Sequence, residues 1–475
     1  MTEREAPRFV HSHAGLRRDL GTLEAYAALI GILIGAGIFK VTSQSWELTG
    51  PSVILAHLVL AVPVLATSVA YCVFLSTPLG LEPGGEYAHI SKTLGSRGVA
   101  FVGAWLKCIS YIGALAFLAS AFADYLAGLA PGVFDGNPAR MAMALFSLVL
   151  FCAIHVAGVR WFGRIQVLML ALLGVSIVVL VVPGIFAVRP EHYHPFFTHG
   201  LPGFAAALPP LFFAYAGFES LAQTAGEVRD STRRLPRAFL LGIGGTTVIY
   251  LLMSLVSFGV LPGPRLQASP APMTEVAAVY LPAGAAAFVT LGALMAIATS
   301  LNATMLVPSR LAIILAADGL VPEWIGAVSP RTGTPVAALT LTLAASVLLV
   351  VGGQITLGLN IAVFALVGLY LLHSVALLML PARNPALFRS VTVPIPIAVQ
   401  RAAAVISILA MGALFLLQVK ADLETVASRS LRERFASGSL TAVELSVVWG
   451  AVGALLYVAG RRRSERFEAA GLPEG

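Results

Sequence analysis

Three glycines, Gly31, Gly35 and Gly37, interrupt an apolar segment near the amino end of the chain. An interior glycine weakens an α-helix by about 1 kcal/mol relative to alanine, so the helix is predicted to open at this point. An opened helix presents N–H and C=O groups, which are tolerated in a membrane only where protein buries them or a cavity hydrates them. The segment is therefore predicted to form either a binding site or a face for close helix packing.

A second apolar segment carries the same kind of interruption. Pro209 and Pro210 enter this helix, Gly217 loosens it, and Glu219 places a carboxylate near membrane depth. The amino end of a half-helix attracts an anionic group, while free carbonyls accept from an ammonium or coordinate a cation. Because an α-amino acid carries both charges, two opened helices that face each other would match it. Paired interruptions of this kind indicate a secondary transporter built from inverted repeats.

Two ionisable side chains inside the predicted spans are further candidates for gating or coupling. Lys107 lies in the third span, where it could act in transport, form a structural ion pair or extend its ammonium to water. Glu219 could contact substrate or a proton, or could bind the backbone that the break in its own helix leaves free.

The composition is that of a membrane protein. The 475 residues are 58% hydrophobic and 11% charged, whereas soluble domains carry roughly 25% charged residues. Hydrophobic segments recur from Leu23 to Arg461, so we expect one membrane domain and no cleaved signal peptide. Cys72, Cys108 and Cys152 fall within predicted spans, which argues against disulfides. The net charge of +7 lies mainly in loops, and no nucleic-acid partner is predicted.

Hydropathy over a span length of about 20 residues predicts an all-α polytopic membrane protein with twelve transmembrane helices. The predicted spans are 23–47, 51–79, 99–130, 139–158, 164–188, 205–225, 236–262, 283–316, 334–352, 355–380, 398–418 and 441–460. These spans divide the chain into five predicted parts, which are an amino-terminal segment 1–22, a first repeat 23–188, a second repeat 205–380, two further helices in 398–460 and a tail 461–475.

The basic residues predict the orientation. The loops on one side hold 21 Lys and Arg residues and those on the other side hold 8. Because cytoplasmic loops carry the excess of positive charge, both termini are predicted to lie in the cytoplasm. We expect a multi-pass protein of the cell (inner) membrane, with the lipid bilayer as its surroundings.

Several motifs occur in a consistent order over about the first 380 residues. They are Gly35-Ala36-Gly37-Ile38-Phe39, Pro83-Gly84-Gly85-Glu86-Tyr87, Phe213-Ala214-Tyr215-Ala216-Gly217-Phe218-Glu219-Ser220, Gly226-Glu227-Val228-Arg229-Asp230, Leu235-Pro236-Arg237-Ala238, Ser300-Leu301-Asn302-Ala303 and the stretch from Pro308-Ser309-Arg310 to Asp318-Gly319-Leu320-Val321-Pro322. Together they resemble the amino acid/polyamine/organocation superfamily of transporters. That resemblance implies the LeuT-type fold, a 5+5 inverted repeat with discontinuous first and sixth helices.

The resemblance also implies a substrate site between the two discontinuous helices. Amides of residues 36–38 would bind the substrate carboxylate, and carbonyls of Leu33, Phe213 and Ala216 would receive its ammonium. Phe213 would also be an aromatic gate over the site. The implied substrate-binding residues are Leu33, Gly35, Ala36, Gly37, Ile38, Phe213, Ala216 and Gly217, and the gating or coupling residues are Phe213, Glu219 and Lys107.

The coupling ion is left open. Many members of the superfamily place a lysine in the fifth helix, at a position where this chain has Leu173. The segment Ala296-Ile297-Ala298-Thr299-Ser300 instead resembles the ligands of sodium-coupled relatives, and neutral oxygen ligands suit a hard cation. The implied sodium site is Gly31, Ile34, Ala296, Thr299 and Ser300. Proton coupling through Lys107, His57 or Glu219 and ion-independent exchange are the alternatives, and no other cofactor is expected.

These observations predict a permease that moves neutral L-amino acids by alternating access with a cation gradient, as a monomer or weak homo-oligomer. An amino acid exchanger or a polyamine/organocation transporter is the alternative. A membrane-embedded enzyme would need a cluster of acids, bases or metal ligands, and the sequence contains no HExxH, CxxC or GxSxG motif. A channel would show repeated polar or charged rings, which the spans lack.

Overall fold

The computed structural model describes residues 20–81, 84–129 and 136–469. Over these ranges the chain is helical, apart from turns and one isolated β-bridge between Leu20 and Val228. Residues 1–19 of the predicted amino-terminal segment, Pro83 of the loop motif and residues 470–475 of the predicted tail lie outside the described residues.

Eleven helices in the described ranges are long and apolar enough to cross a membrane. They are Thr22–Gln44, Trp46–Leu75, Arg97–Leu129, Asn137–Val156, Val159–Ala187, Gly200–Gln223, Ser231–Val260, Ala283–Ala317, Ile355–Arg383, Ile397–Ser428 and Ala442–Arg461. Many of their large apolar side chains are exposed, as lipid-facing positions must be; Leu168, Leu241, Leu416 and Leu455 are examples. The prediction of an all-α polytopic membrane protein is confirmed.

The ninth predicted span is the helix Val336–Val351. Its 16 residues are fewer than the other spans have, and at 1.5 Å per residue they cover roughly 24 Å of a hydrocarbon core of about 30 Å. The break predicted after this helix is confirmed, because the next helix begins at Ile355. We number the spans first to twelfth in chain order, with this helix as the ninth.

The eleventh span is longer than predicted. It runs to Ser428, although the sequence suggested an end at residue 418 because charged residues follow. Those charges are accommodated on the helix surface or at its contacts. Lys420 and Glu424 form an i,i+4 pair at 3.8 Å, and a carboxylate oxygen of Asp422 accepts the N–H of Val443 at 3.0 Å. Charge therefore marked the end of the apolar stretch rather than the end of the helix.

The third span is held against the twelfth by a reciprocal tryptophan pair. Nε1 of Trp105 donates to the carbonyl of Trp449 at 2.7 Å, and Nε1 of Trp449 donates to the carbonyl of Trp105 at 2.8 Å. The rings stack with centroids 4.2 Å apart. The third span also packs against the eighth and tenth spans. It thereby forms one wall of the interior that the first and sixth spans complete.

Candidate functional site

The first span opens in its middle, as the glycines predict. The helix Thr22–Leu33 ends at Ile34, whose ψ of 81° is not helical. The chain resumes as a π-helix, Gly37–Val41. The first N–H groups of a helix have no partner within it. The amides of residues 36–38 therefore lie at a helix amino end, the position predicted for a carboxylate.

The sixth span is also interrupted, and its break touches the break in the first span. Its helix Gly200–Phe212 is followed by a 3₁₀ turn, and Gly217 has a φ of +101° that favours glycine. The approach of the two breaks depends on the absence of a side chain at Gly37. A Cβ atom there would lie 2.3 Å from Cα of Ala214.

Between the two breaks lies a cavity of about 30 Å³. It is lined by Ile32, Leu33, Gly35, Ala36, Gly37, Ser110, Tyr111, Ala114, Leu118, Phe213, Ala216, Gly217, Ser300, Thr304, Ala362 and Leu366. Thus the structure brings together the predicted substrate-binding residues except Ile38, which is buried outside the lining. Since one water needs about 10–15 Å³, an amino acid enters this cavity only after the surrounding helices separate.

One tyrosine bonds to backbone on both sides of the cavity. The hydroxyl of Tyr250, in the seventh span, contacts the carbonyl oxygen of Leu33 and lies 2.5 Å from that of Ala214. The Leu33 carbonyl also accepts the N–H of Gly35 at 3.0 Å. The Leu33 carbonyl, predicted to receive the substrate ammonium, is thus already hydrogen-bonded within the protein. Sequence patterns did not point to Tyr250, because a tyrosine in an apolar helix is commonly a core residue.

Phe213 lies at the cavity wall with 8% of its surface exposed. Its ring packs edge-on against Phe117 of the third span, with centroids 5.2 Å apart. Edge-to-face packing at this distance is a favourable aromatic geometry. The predicted gate therefore bridges the sixth and third spans in this conformation.

Glu219 is fully buried and hydrogen-bonded on both oxygens. Oε1 accepts the hydroxyl of Tyr111 at 2.6 Å, and Oε2 accepts the N–H of Gly217 at 3.1 Å. The hydroxyl of Tyr370 also donates to Oε2. Because Tyr111 and Gly217 line the cavity, the carboxylate contacts two parts of the cavity wall without entering it.

Lys107 is also buried, and its partner is Glu86. The ammonium lies 2.9 Å from Oε1 and 2.8 Å from Oε2 of Glu86, and 3.4 Å from the carbonyl of Glu219. Glu86 begins a short helix, Glu86–Leu94, and further accepts bonds from the hydroxyl of Tyr71 and the amide of Gln223. Of the roles considered for Lys107 from the sequence, the structure shows the ion pair, which it forms with Glu86.

Sequence reasoning missed Glu86 as a site residue. The signal was available, since a lysine within a span needs a partner and Glu86 is an acid in the motif Gly84-Gly85-Glu86-Tyr87. The sequence could not show that Glu86 and Lys107 lie close to each other, because the two residues belong to different helices.

Two histidines lie beside this ion pair. His89, on the same short helix as Glu86, has its Nδ1 3.0 Å from Nε2 of His373. Burial, with His373 next to it, lowers the pKa of His89 well below its ordinary value. His57, named as a proton carrier, is buried away from this group and hydrogen-bonds Thr42 at 3.1 Å.

Four of the five predicted sodium ligands are joined by hydrogen bonds. The hydroxyl of Thr299 lies 2.8 Å from the carbonyl of Gly31 and 2.7 Å from that of Ala296. The hydroxyl of Ser300 lies 3.0 Å from the same Gly31 carbonyl. Ile34, the fifth predicted ligand, lies in the opened part of the first span and makes no hydrogen bond to this group in the described part of the chain. Leu173, at the lysine position of other members, is buried in the fifth span.

The segments that flank the first and sixth spans are bonded to each other and to the eighth span. The N–H of Leu20 donates to the carbonyl of Glu227 at 3.1 Å, and the N–H of Arg229 donates to the carbonyl of Leu20 at 3.1 Å. The side chain of Glu227 accepts two bonds from Arg310, at 2.9 and 3.1 Å, in a buried pair. The segments before the first span and after the sixth are thus bonded to each other.

Two opened helices that face a common cavity, with eleven candidate membrane spans in the described part of the chain, define a membrane transporter rather than an enzyme. The chain belongs to the amino acid permease family, whose model matches residues 20–430.

Relatives from several organisms are similar over most of the chain. A methylthioribose transporter of Bacillus subtilis (strain 168) is 26% identical over 80% of this chain and 84% of its own length. A branched-chain amino acid permease of the same organism is 25% identical over 68% of this chain and 72% of its own length. A vacuolar cationic amino acid transporter of Arabidopsis thaliana is 26% identical over 68% of this chain and 56% of its own length.

Proposed function

We propose that this protein is a permease for neutral L-amino acids that works by alternating access in the cytoplasmic membrane. The substrate carboxylate would bind the amides of residues 36–38, and its ammonium would bind the carbonyls of Leu33, Phe213 and Ala216. The observation that carries the proposal is the cavity that lies between the two helix breaks. None of the described residues that line it has a charged side chain.

The cavity lining favours a neutral, apolar substrate side chain. Ile32, Leu118 and Leu366 supply apolar surface, and the nearby carboxylate of Glu219 is already bonded by three donors. A cationic substrate side chain would need a free acidic partner in a buried site. A branched-chain amino acid permease is among the similar proteins, which is consistent with this choice, while the choice over a cationic side chain or methylthioribose rests on the cavity lining.

Uptake of radiolabelled amino acids into proteoliposomes tests the proposal. Leucine, alanine, arginine and methylthioribose would be compared at equal concentration, with empty vesicles as the control. We expect leucine or alanine to be taken up and arginine to be excluded. Uptake of arginine or methylthioribose alone would overturn the assignment of a neutral amino acid.

Sodium is the proposed coupling cation. The carbonyl oxygens of Gly31 and Ala296 and the hydroxyls of Thr299 and Ser300 form a compact neutral oxygen group, which fits a hard cation. A sodium gradient should raise uptake, and the Thr299→Val, Ser300→Ala double variant should lose that dependence. Sodium-dependent uptake that survives in the double variant would reject this site.

Proton coupling is the second candidate, because the buried group around Lys107 has two carboxylates and one ammonium. Glu86 and Glu219 are both fully buried, and Tyr71, Tyr111 and Tyr370 are the hydroxyls that face them. A proton on one carboxylate would balance the charge of the group. A pH gradient that drives uptake without sodium would favour this candidate; uptake that needs only internal amino acid would favour exchange.

A further inference from the structure

A basic cavity lies apart from the substrate site, at the ends of the first and seventh spans. It has a volume of about 480 Å³ and shares no lining residue with the substrate cavity. It is lined by Thr22, Tyr26, Asp230, Arg233, Arg234 and Arg237. The loop charges predict that this end of both spans faces the cytoplasm.

The polar groups of this cavity come from two helix faces. Arg233 and Arg237 are four residues apart in the first turns of the seventh span, so they share one face of that helix. Thr22 and Tyr26 have the same spacing in the first span. The cavity thus has arginines on one wall and two hydroxyls on the other.

The charges in the cavity do not cancel. Of its three arginines, Arg234 lies 4.0 Å from the single carboxylate, that of Asp230. In the described part of the chain, Arg233 and Arg237 make no ion pair, so two guanidinium groups are available to an anion. Guanidinium groups bind the oxygens of phosphate through paired hydrogen bonds.

Exposed apolar side chains adjoin the cavity. Leu241 lies four residues after Arg237 on the same helix and is 67% exposed, and Leu23 beside Thr22 is 63% exposed. These leucines belong to the lipid-facing surface of two spans. A phosphate in the cavity is therefore adjacent to a surface that accommodates acyl chains. We propose that the cavity binds the phosphate headgroup of an anionic phospholipid, and that the lipid joins the first span to the seventh.

Native mass spectrometry of the full chain tests the site with defined lipids. The protein would be purified with phosphatidylglycerol or phosphatidylcholine as the probe, and retained lipid would be counted for wild type and for the Arg233→Gln, Arg237→Gln double variant. Each arginine near a membrane surface contributes about fivefold to the binding of anionic lipid. The double variant should therefore retain phosphatidylglycerol about 25-fold less tightly, with phosphatidylcholine unchanged.

The matched control removes two arginines elsewhere on the same predicted side. Arg383 and Arg401 are exposed at the ends of the tenth and eleventh spans, and the Arg383→Gln, Arg401→Gln variant has the same net charge. An equal loss of phosphatidylglycerol in this control, or equal retention of phosphatidylcholine by wild type, would overturn the proposal. Retention of inorganic phosphate by wild type without any preference for phosphatidylglycerol over phosphatidylcholine would also overturn it, because the ligand would then be the free ion. Size-exclusion profiles would establish that each variant is folded.

Discussion

The ammonium of Lys107 lies 2.8 Å from Oε2 of Glu86, and both side chains are buried. The pair joins the third span to the short helix that follows the second. Through the carbonyl of Glu219 and the amide of Gln223, the same two residues also bind the end of the sixth span. A single ion pair thereby connects the short helix to the third and sixth spans, both of which line the substrate cavity.

Removing one member of this pair should destabilise the protein strongly. Lys107→Met leaves the Glu86 carboxylate buried without its counter-charge, which costs about 3–5 kcal/mol. Adding Glu86→Gln to Lys107→Met should recover part of that loss. Thermal unfolding in detergent would measure both effects. The exposed pair provides the control, since Lys420→Met should change stability by less than about 1 kcal/mol. Strictly additive losses at Lys107 and Glu86 would show that the pair is not coupled.

Gly37→Ala should reduce amino acid uptake by about tenfold or more, equivalent to about 1.4 kcal/mol. The added Cβ would lie 2.3 Å from Cα of Ala214, so the two helix breaks would have to separate. Gly174→Ala is the matched control, because no atom lies within 4 Å of the position of its Cβ. Initial uptake rates in proteoliposomes, normalised to folded protein, would distinguish the two. Equal uptake by both variants would contradict the role of the close contact.

Tyr250→Phe should weaken both the fold and substrate binding. The change removes the hydroxyl that bonds the carbonyls of Leu33 and Ala214. Because the Leu33 carbonyl keeps its bond from the N–H of Gly35, the expected loss is that of one buried hydrogen bond, about 0.5–1.5 kcal/mol. The melting temperature and the substrate affinity in a thermal-shift titration would report the two effects. Tyr193→Phe removes a hydroxyl that bonds the Leu255 carbonyl at an exposed position, and it should leave substrate affinity unchanged. An unaltered affinity in Tyr250→Phe would place this tyrosine outside the site.

Glu219→Gln should lower uptake by about tenfold while the protein remains folded. An amide offers one acceptor oxygen in place of two, so one of the donors from Tyr111, Tyr370 and Gly217 loses its acceptor. Since Tyr111 and Gly217 line the cavity, its walls should shift. The KM and maximal rate of uptake would be compared with those of Glu424→Gln, whose side chain is exposed. Wild-type kinetics in Glu219→Gln would exclude a role in transport.

The broken spans and the cavity between them were predictable from local sequence. Gly31, Gly35 and Gly37 weaken one helix, and Gly217 with two prolines interrupts another. Such signals are short-range, because each acts through its own backbone. The motif order then implied which breaks would meet.

The partners of buried side chains were not predictable in the same way. Glu86 and Lys107 are 21 residues apart, and Tyr250 is 217 residues from Leu33. These contacts depend on how separate helices pack, and hydropathy contains no information about that packing. The end of the eleventh span was also misplaced, because charged residues such as Lys420 can continue a helix beyond the apolar core.

The paired backbone bonds of Leu20 have a mechanical consequence for transport. They bind the start of the first span to the segment after the sixth, and the buried pair of Glu227 and Arg310 extends the connection to the eighth span. Two half-helices joined in this way would move together as one rigid body when the side predicted to be cytoplasmic opens. The hinge of this movement would then lie at the unwound residues, where substrate is expected to bind. The same residues would therefore bind the substrate and allow the conformational change.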